Sequence, residues 1–357
     1  MKKIPVGIIG ATGMVGQRFI TLLNYHPWFE VTCVAASPRS ANKKYKEAVK
    51  DKWVIEGKIP DSIAKMTVSA VERDIEQVAK QARLIFSALD MDRGQIREIE
   101  KEYASLGMAV VSNNSAHRWT EDVPMIMPEI NPEHLELISS QDHGFIVVKP
   151  NCSIQSYVPM LTPLLKFGIK KVVVTTLQAV SGAGKTLKGW PDMQDNVIPF
   201  IGGEEEKSEL EPLKIWGQAV NGRIKMAKIN ISATCIRVPV EDGHMASVSV
   251  YFNKKVSKKE ILKIWKNFNP LKKLNLPSAP DPFITIMEEE NRPQTRLDRG
   301  LGNGMGISVG RLREDGNNGF KFIGLSHNTI RGAAGGAILT AELLVKKGYL
   351  QMSSRTK

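Results

Sequence analysis

The sequence has few cysteines and no obvious metal-binding motif. Its three cysteines, at positions 33, 152 and 235, form no CxxC pair, which excludes a disulfide framework and a cysteine-rich zinc site. The six histidines include no HExxH motif, and no His, Cys or acidic cluster has metal-ligand spacing, so we expect no metal. No apolar run reaches the ~18 residues that a membrane helix needs. These absences favour a cytoplasmic protein that does not bind membranes.

Basic residues outnumber acidic ones, but they are dispersed. Lys plus Arg total 49 and Asp plus Glu total 37, which gives a formal net charge of +12. The basic residues occur as scattered pairs, without an arginine-rich run or an aromatic-studded sheet signature, so we expect no nucleic-acid partner. A dispersed positive charge favours small anionic ligands, such as phosphorylated or carboxylated molecules.

The length of 357 residues indicates two domains. In the first part, apolar runs rich in β-branched residues alternate with amphipathic segments, which is the pattern of βαβ units on a parallel sheet. The predicted strands cover 4–10, 30–36, 84–89, 108–112 and 144–148, and the predicted helices cover 14–23 and 94–106. We therefore expect an α/β domain over residues 1–150.

The pattern changes after about residue 150. The strands predicted over 171–177, 228–237 and 245–252 are longer, and the last two are expected to face each other across a short turn. Longer strands joined by hairpins indicate a mixed or antiparallel sheet, and so a second, α+β domain over 151–326. A final helix is predicted over 329–347, with Ala and Leu on one face.

Glycines recur at every third position where the first strand meets the first helix. Gly7, Gly10, Gly13 and Gly16 follow this spacing. Glycines at such a junction allow a tight turn and let the backbone approach a pyrophosphate at the helix N-terminus. The expected cofactor contacts in this turn are Gly10, Thr12, Gly13, Met14 and Val15. The alternative interpretation is a tight turn that holds no ligand.

The end of the second strand indicates which dinucleotide binds. An acidic residue there would hold the ribose 2′-hydroxyl of NAD. This strand is followed instead by Ser37, Arg39 and Ser40, and a guanidinium between hydroxyls suits the 2′-phosphate of NADP. Although the same residues are common in surface turns, the glycine pattern upstream favours NADP.

Cys152 is the candidate nucleophile. It follows the strand predicted over 144–148 and precedes an apolar stretch that reaches Leu165. A thiol at a helix N-terminus has a pKa below the free value of ~8.5, which increases the thiolate population. The alternative is a small buried apolar residue, and position alone leaves both interpretations open. Cys33 and Cys235 lie within predicted strands and are expected in the core.

Arg237 and His244 flank the turn over 238–243. Hairpin geometry would bring a fixed cation close to a titratable base. Each residue alone is more often structural, but beside a thiolate they form an acyl-transfer site. In such a site cysteine attacks, histidine acts as the base and arginine holds a substrate carboxylate.

Together, these motifs are typical of one protein family. The chain resembles the aspartate-semialdehyde dehydrogenases, and within them the archaeal and fungal branch. The matching segments span nearly the whole sequence: GIIGATGMVGQRF, AASPRS, SNNSAHRW, DVPMIMPEIN, PNCSIQ, LQAVSGAG, DNVIPFIGGEEEK, ATCIRVPVEDGH and SHNTIRGAAGGAILTAELL. The chain departs from the branch after SGAG, where Lys185-Thr186-Leu187 replaces the usual Tyr-Pro-Gly.

The resemblance implies specific roles for polar residues. Cys152 would be the nucleophile, His244 the general acid/base, and Gln178 the group that orients a thioester. The implied substrate contacts are Arg237 with a carboxylate, Arg118 and Lys207 with phosphate, Glu204 with an ammonium group, and Asn151 at the phosphate or oxyanion site. For Glu204 and Lys207 the alternative is a solvated i,i+3 ion pair at an acidic helix N-terminus.

The resemblance also implies the fold, the cofactor side and the reaction. An N-terminal Rossmann domain would be completed by the C-terminal segment 327–357, beside a catalytic and dimerisation domain, in a homodimer or homotetramer. Ser181, Gly182 and Asn328 would lie near the nicotinamide of NADP. The implied reaction is the NADPH-dependent conversion of L-aspartyl 4-phosphate to L-aspartate 4-semialdehyde through a cysteine thioester, in the biosynthesis of lysine, methionine and threonine.

Other functions share part of this residue pattern and are distinguished from it by specific residues. Malonyl-CoA reductase is built on the same branch but needs no ammonium pocket, and the acidic segment 202–207 favours an amino-acid substrate. N-acetyl-glutamyl-phosphate reductase uses the same chemistry with less similar motifs. A regulator that senses NADP without catalysis would not need Cys152, Arg237 and His244 together.

Overall fold

The computed structural model describes residues 2–351. The first half forms a six-stranded sheet whose neighbouring strands are all parallel. Its strands are β1 (Ile4–Ile9), β2 (Phe29–Ala36), β3 (Ser69–Ala70), β4 (Leu84–Ser87), β5 (Ala109–Ser112) and β6 (Phe145–Val148). Their order in the sheet is β3-β2-β1-β4-β5-β6, which is the Rossmann order, so the predicted fold class is confirmed.

The helices of this half cover the sheet with their apolar faces. They are α1 (Met14–Leu23), α2 (Tyr45–Ala48), α3 (Asp61–Ala64), α4 (Ile75–Gln81) and α5 (Arg93–Ser105). On α1 the buried residues Phe19, Ile20 and Leu23 recur at helical spacing, as the sequence predicts. Helix α5 begins where the Asp92 carboxylate accepts a hydrogen bond from the Gly94 amide at 2.7 Å.

The second half contains a mixed six-stranded sheet and a two-stranded ribbon. The strands are β7 (Ile169–Gln178), β8 (Gln218–Val220), β9 (Arg223–Lys225), β10 (Asn230–Arg237), β11 (His244–Phe252), β12 (Ile284–Ile286), β13 (Ile307–Glu314) and β14 (Gly319–Ser326). The large sheet has the order β10-β7-β11-β14-β13-β12, and β8 pairs with β9.

The predicted hairpin of β10 and β11 is wrong. Strand β7 lies between them, parallel to β10 and antiparallel to β11. The connecting turn therefore crosses the end of β7, and it is held there because Val238 N–H donates to the Gln178 carbonyl at 3.0 Å. Arg237 and His244 nevertheless lie at the same end of the strands, one on each side of the last residues of β7.

The helices of the second half are α6 (Val158–Leu161), α7 (Glu204–Ile215), α8 (Lys258–Asn267), α9 (Thr295–Asp298) and α10 (Gly335–Lys346). Helix α7 packs against β10 and α8 against β12 and β13 of the mixed sheet, whereas α10 packs against the first sheet. Short 3-10 helices span Pro132–Ser140, Ser153–Ser156, Thr162–Phe167, Val180–Ala183, Pro191–Met193, Lys272–Leu274 and Leu301–Gly304. Trp265 of α8 packs edge-on against Phe322 of β14, with ring centroids 5.2 Å apart. The opposite face carries exposed side chains, including Val173 and Ser247.

The end of the chain returns to the first sheet. A π-helical turn over Ile330–Ala334 leads into α10. Leu339 and Leu343 of α10 are buried in one cluster with residues of β1, β4 and β5. Arg331 forms a buried ion pair with Glu129 at 2.5 Å. Of the predicted segment 327–357, residues 352–357 lie outside the described part of the chain. We propose domain limits of 1–150, rejoined from residue 327, and 151–326.

Residues 2–351 contain neither a membrane-spanning helix nor a cluster of metal ligands. No helix there has the length and apolar character needed to cross a bilayer. No group of three or more His, Cys, Asp or Glu side chains in the same range is placed to hold a metal ion.

Candidate active site

The turn between β1 and α1 is built so that its backbone stays uncovered. Gly10 has φ +76°, and a Cβ atom there would lie 2.2 Å from the Ala88 carbonyl oxygen. A Cβ atom at Gly16 would lie 2.3 Å from the Gly10 oxygen, which explains why both positions need glycine. Gly13, the residue that precedes α1, is exposed, so the first N–H groups of the helix are open to a ligand.

The surrounding residues fit a phosphorylated dinucleotide. Thr12, Met14 and Val15 are half-buried beside the exposed Gly13. Ile9 pairs with Ala35, so the turn after β2 leaves the sheet at the same edge as Gly10. In that turn Ser37 and Arg39 are exposed, whereas Ser40 is buried and its N–H donates to the Ser37 carbonyl at 2.9 Å.

Cys152 and His244 meet at the boundary of the two halves. Cys152 Sγ lies 3.4 Å from Nε2 of His244. The other ring nitrogen, Nδ1, accepts a hydrogen bond from the Ala179 backbone N–H at 3.0 Å. Cys152 is half-buried, while the imidazole is fully buried at the start of β11. The thiol is therefore the more accessible member of the pair.

The prediction that a helix N-terminus lowers the pKa of Cys152 is wrong. The pKa of Cys152 is raised to about 11, first by burial and then by the Glu204 carboxylate, while Lys149 and Arg118 oppose the rise. The helix after Cys152 is a 3-10 segment of 4 residues, Ser153–Ser156, which is too short to supply a substantial dipole. The free protein consequently holds the sulfur as a thiol.

His244 is also neutral in this environment. Its pKa is lowered to about 3, mainly by burial and then by the nearby Arg237 charge. A neutral thiol thus faces a neutral imidazole.

Glu204 is the centre of the polar network beside Cys152. Its carboxylate accepts hydrogen bonds from Asn151 Nδ2 at 2.9 and 3.0 Å and from Gln178 Nε2 at 3.2 Å. It also pairs with Lys207 at 2.8 Å, which is the i,i+3 ion pair considered as the alternative. Burial raises the pKa of Glu204, but Lys207 and the hydrogen bonds outweigh burial, so the net pKa is lowered. The carboxylate remains ionised within the site.

Arg118 connects several segments that surround the site. Its guanidinium donates to Glu211 at 2.8 Å, to the Lys149 carbonyl at 3.0 Å and to the Asn113 carbonyl at 3.3 Å. The second Glu211 oxygen accepts from the Asn151 backbone N–H at 2.6 Å. The three hydrogen bonds that the Arg118 guanidinium donates use only some of its five N–H donors.

Arg237 is a buried cation with no carboxylate partner among residues 2–351. Its Nη1 donates to the Ala179 carbonyl at 2.7 Å. A Cβ atom at Gly182 would lie 2.8 Å from that nitrogen and 2.9 Å from His244 Nε2, so glycine keeps this side of the site open. The remaining donors of Arg237 suit an anionic ligand.

Asn328 connects three segments around the site. Its Nδ2 donates to Ser181 Oγ at 2.8 Å, and its Oδ1 accepts from the Gly243 N–H at 2.8 Å. The loop after β7, the turn before His244 and the segment after β14 are thereby fixed to one another.

Comparisons with known proteins agree with this geometry. A family model described as the semialdehyde dehydrogenase NAD binding domain matches residues 5–138, and one described as the semialdehyde dehydrogenase dimerisation domain matches residues 161–331. An aspartate-semialdehyde dehydrogenase of Archaeoglobus fulgidus is 49% identical over 352 residues, covering 97% of this chain and 99% of the relative. The chain belongs to the aspartate-semialdehyde dehydrogenase family.

Relatives from fungi lead to the same assignment. An aspartate-semialdehyde dehydrogenase of Saccharomyces cerevisiae is 42% identical, with 98% of this chain and 99% of the relative covered. A crystal structure of aspartate semialdehyde dehydrogenase with NADP from Candida albicans has a TM-score of 0.88 and 37% identity, and covers 97% of this chain and 100% of that chain. The predicted family is confirmed, and malonyl-CoA reductase is not favoured.

Within this aspartate-semialdehyde dehydrogenase fold, most sequence-predicted residues come together. The residues around the thiol are Cys152, His244, Gln178, Asn151, Glu204 and Arg237. The sequence did not lead us to Glu211 and Lys149. Glu211 accepts a hydrogen bond from the Asn151 backbone N–H, and Lys149 precedes Asn151 in the chain and interacts electrostatically with Cys152. The sequence also did not lead us to Asn113, whose side-chain amide is buried without a partner among residues 2–351. A polar residue inside the SNNS segment, directly after β5, was the available signal.

Proposed function

We propose that this chain converts L-aspartyl 4-phosphate to L-aspartate 4-semialdehyde with NADPH. The observation that carries the proposal is the 3.4 Å approach of Cys152 Sγ to His244 Nε2 beside the Arg237 guanidinium. A sulfur nucleophile, an imidazole and a buried cation that pairs with no carboxylate of residues 2–351 are the groups needed for acyl transfer from an anionic substrate. The names of the relatives support the same reaction.

The charges of the site match those of aspartyl phosphate. Arg237 holds the substrate carboxylate, and Glu204 receives the ammonium group. Lys207, Asn151 and Arg118 lie on the phosphate side. A substrate ammonium beside Glu204 also favours this reaction over malonyl-CoA reduction, which has no cationic group to bind.

Cys152 carries the acyl group through the reaction. Its sulfur attacks the acyl carbon, phosphate departs, and a thioester forms that Gln178 orients. When bound, NADPH supplies a hydride for the reduction of this thioester. His244 faces the reacting sulfur throughout, and we assign it the acid/base position. Sulfur suits both steps because it is a good nucleophile and a good leaving group.

The residues that would hold NADPH line one edge of the first sheet. The expected contacts with the pyrophosphate are Gly10, Thr12, Gly13, Met14 and Val15, and those with the 2′-phosphate are Ser37, Arg39 and Ser40. The uncovered backbone at Gly13 supports the former, and the exposed guanidinium of Arg39 supports the latter. Ser181, Gly182 and Asn328 complete the nicotinamide side.

We further propose a homodimer formed through the open face of the mixed sheet. Val173 pairs with Ser249, and Thr175 with Ser247, on that face. These uncharged side chains are exposed or half-buried in the single chain. In light scattering, Ser247→Arg should convert a dimer to monomers, or a tetramer to dimers. An unchanged mass would place the interface elsewhere. We also propose a cytoplasmic location, where the three free thiols stay reduced.

The reverse reaction tests the proposal most directly. Purified protein is mixed with L-aspartate semialdehyde, NADP and phosphate, and NADPH formation is followed by absorbance. Parallel reactions omit phosphate, or contain malonate semialdehyde and CoA instead. Phosphate-dependent reduction of NADP is the expected result. Activity restricted to the CoA pair would overturn the proposed substrate and retain the cysteine mechanism.

A further inference from the structure

Lys149 is a buried lysine that forms no ion pair with a carboxylate of residues 2–351. The residue is 3% exposed, and its Nζ atom makes one hydrogen bond there, a long one of 3.5 Å to the Pro150 carbonyl. Burial of an ammonium group is unfavourable unless an opposite charge or several hydrogen bonds compensate for the lost water. The bonds of Lys149 itself therefore do not explain why a lysine occupies this position.

A second buried lysine shows what such compensation looks like. Lys214 of α7 donates to the carbonyls of Arg118, Thr120 and Val123 at 2.6, 3.5 and 3.3 Å. These bonds fix the segment after β5 to α7, which is a structural role. Lys149 has no comparable set of bonds, so we looked for its compensation among the neighbouring charges.

The other charges around Lys149 are already paired. The groups that act most strongly on its ammonium group are Arg331 of the π-helical turn, Cys152, Arg118, and Glu211 of α7. Arg118 pairs with Glu211 at 2.8 Å, and Arg331 pairs with Glu129. Each guanidinium thus has its own carboxylate. Among these groups, the anion that remains to balance Lys149 is the thiolate form of Cys152.

One segment of the chain confines both Lys149 and Cys152. A Cβ atom at Gly336 would lie 2.4 Å from Cε of Lys149, and one at Gly332, one helical turn earlier, would lie 2.8 Å from the Cβ atom of Cys152. The backbone of Lys149 is also held, because its N–H donates to the Ser112 carbonyl at 2.8 Å. The side chain therefore lies between the end of β5 and the start of α10, where its charge interacts with the sulfur.

We propose that the Lys149 ammonium group is the buried counter-charge of the Cys152 sulfur, which it stabilises as an anion before attack and again when the sulfur leaves the product. Lys149 is thus a positioning residue that acts through Cys152 and does not contact the substrate. Transfer of the thiol proton remains with His244. This inference rests on the proposed function, in which the sulfur attacks an acyl carbon.

The role has a defined pH dependence. The pKa of Lys149 is lowered to about 7, first by burial and then by the Arg331 charge, while Cys152 raises it. While the sulfur is a thiol, the ammonium form is therefore present below this pKa and is lost as the pH rises through it. Lys149 should consequently increase the thiolate population most strongly on the acidic side of neutrality.

The reactivity of the thiol tests this role without substrate. Lys149→Met and Lys149→Gln both remove the charge, and methyl methanethiosulfonate reports the thiolate, with modification of Cys152 followed by mass spectrometry. We expect the unaltered protein to react roughly threefold or more faster than either variant near about pH 6, with the ratio approaching one near about pH 9. Equal rates at the lower pH, or a difference that does not diminish as the pH rises, would overturn the proposal. Because no substrate is present, this result is independent of whether the proposed reaction is correct.

Urea unfolding distinguishes the proposed role from a structural one. Lys149→Met should unfold at the same urea concentration as the unaltered protein or at a higher one, because an apolar side chain of similar size replaces a buried charge. Lys214→Met is the matched control: its carbonyl partners lose their donor, so its unfolding midpoint should fall while the reactivity of Cys152 stays unchanged. A lowered midpoint in Lys149→Met with an unchanged modification rate would assign Lys149 a structural role and overturn the proposal.

Discussion

Gly332 lies directly against Cys152. A Cβ atom at Gly332 would be 2.8 Å from the Cβ atom of Cys152 and 3.2 Å from its Cα atom. The contact joins the π-helical turn before α10 to the start of the 3-10 segment that follows the thiol. The position of the Cys152 sulfur therefore depends on a residue that is distant from it in the sequence.

Gly332→Ala should displace the thiol and lower kcat. The added methyl group has no space, so we expect a loss of about 1–3 kcal/mol in the free energy of unfolding, as for other overpacked sites. Gly300→Ala is the matched control, because a Cβ atom there meets nothing within 4 Å. Turnover and urea unfolding are measured for both. Wild-type turnover in Gly332→Ala would show that the sulfur tolerates the shift.

Cys152→Ser should nearly abolish turnover and leave NADPH affinity close to that of the unaltered protein. The hydroxyl is a much weaker nucleophile than sulfur, while most of the proposed dinucleotide contacts lie at the edge of the first sheet. Cys33→Ser is the control, since its buried thiol makes only a weak contact of 3.9 Å with the Val78 carbonyl. Fluorescence titration gives the affinity. Parallel loss of turnover and NADPH binding would assign Cys152 a structural role.

Arg237→Lys should raise KM for L-aspartate semialdehyde by roughly 10- to 100-fold, since a lysine cannot bind a carboxylate in bidentate fashion. NADPH affinity should not change. Arg223→Lys makes the same exchange on exposed strand β9, where Arg223 pairs with Glu121 at 2.9 Å, and it should leave KM unaltered. Equal KM values in both variants would remove Arg237 from the substrate site.

Glu204→Gln should lower the pKa of Cys152. The carboxylate is the second largest cause, after burial, that raises this pKa to about 11, so its removal increases the thiolate fraction at any pH below the pKa. A decrease of about one pKa unit would make alkylation by iodoacetamide roughly tenfold faster near pH 8. Glu206→Gln, an exposed neighbour in the same helical turn, is the control. Unchanged alkylation rates in Glu204→Gln would contradict the electrostatic coupling.

Arg39→Ala should weaken NADPH binding and leave NADH binding unaltered. The guanidinium is exposed next to the end of β2, where a 2′-phosphate would lie. Loss of one charge-assisted contact should raise the Kd of NADPH by roughly 10-fold or more. The two nucleotides are titrated against the same variant, so NADH serves as the internal control. An equal effect on both would place Arg39 elsewhere along the dinucleotide.

Local features of the fold were predictable from the sequence. Helix α1 has the predicted limits, Met14–Leu23, because glycines fix its start and an apolar stripe fixes its buried face. The strand before it and the buried state of Cys33 and Cys235 also follow from short-range patterns. In each of these cases the residues that determine the structure are neighbours in the chain.

Features that depend on distant residues were not predictable. The insertion of β7 between β10 and β11 involves residues about sixty positions apart, and a short turn is compatible with a hairpin or with a crossing over another strand. The pKa of Cys152 depends on Glu204 and Lys149 as well as on burial, which no local motif encodes. The Ala179 amide has no side-chain signature at all.

The packing of α10 against the first sheet determines when, during synthesis, that sheet can be covered. Leu339 and Leu343 fill a core that also contains Ile4, so strand β1 acquires this apolar cover only after residue 343 has been synthesised. Until then the nascent sheet exposes an apolar surface, and residue 332 has not yet reached the thiol. The first sheet and the surroundings of the Cys152 thiol are consequently completed by the same segment, so a chain that terminates before residue 332 would leave both incomplete.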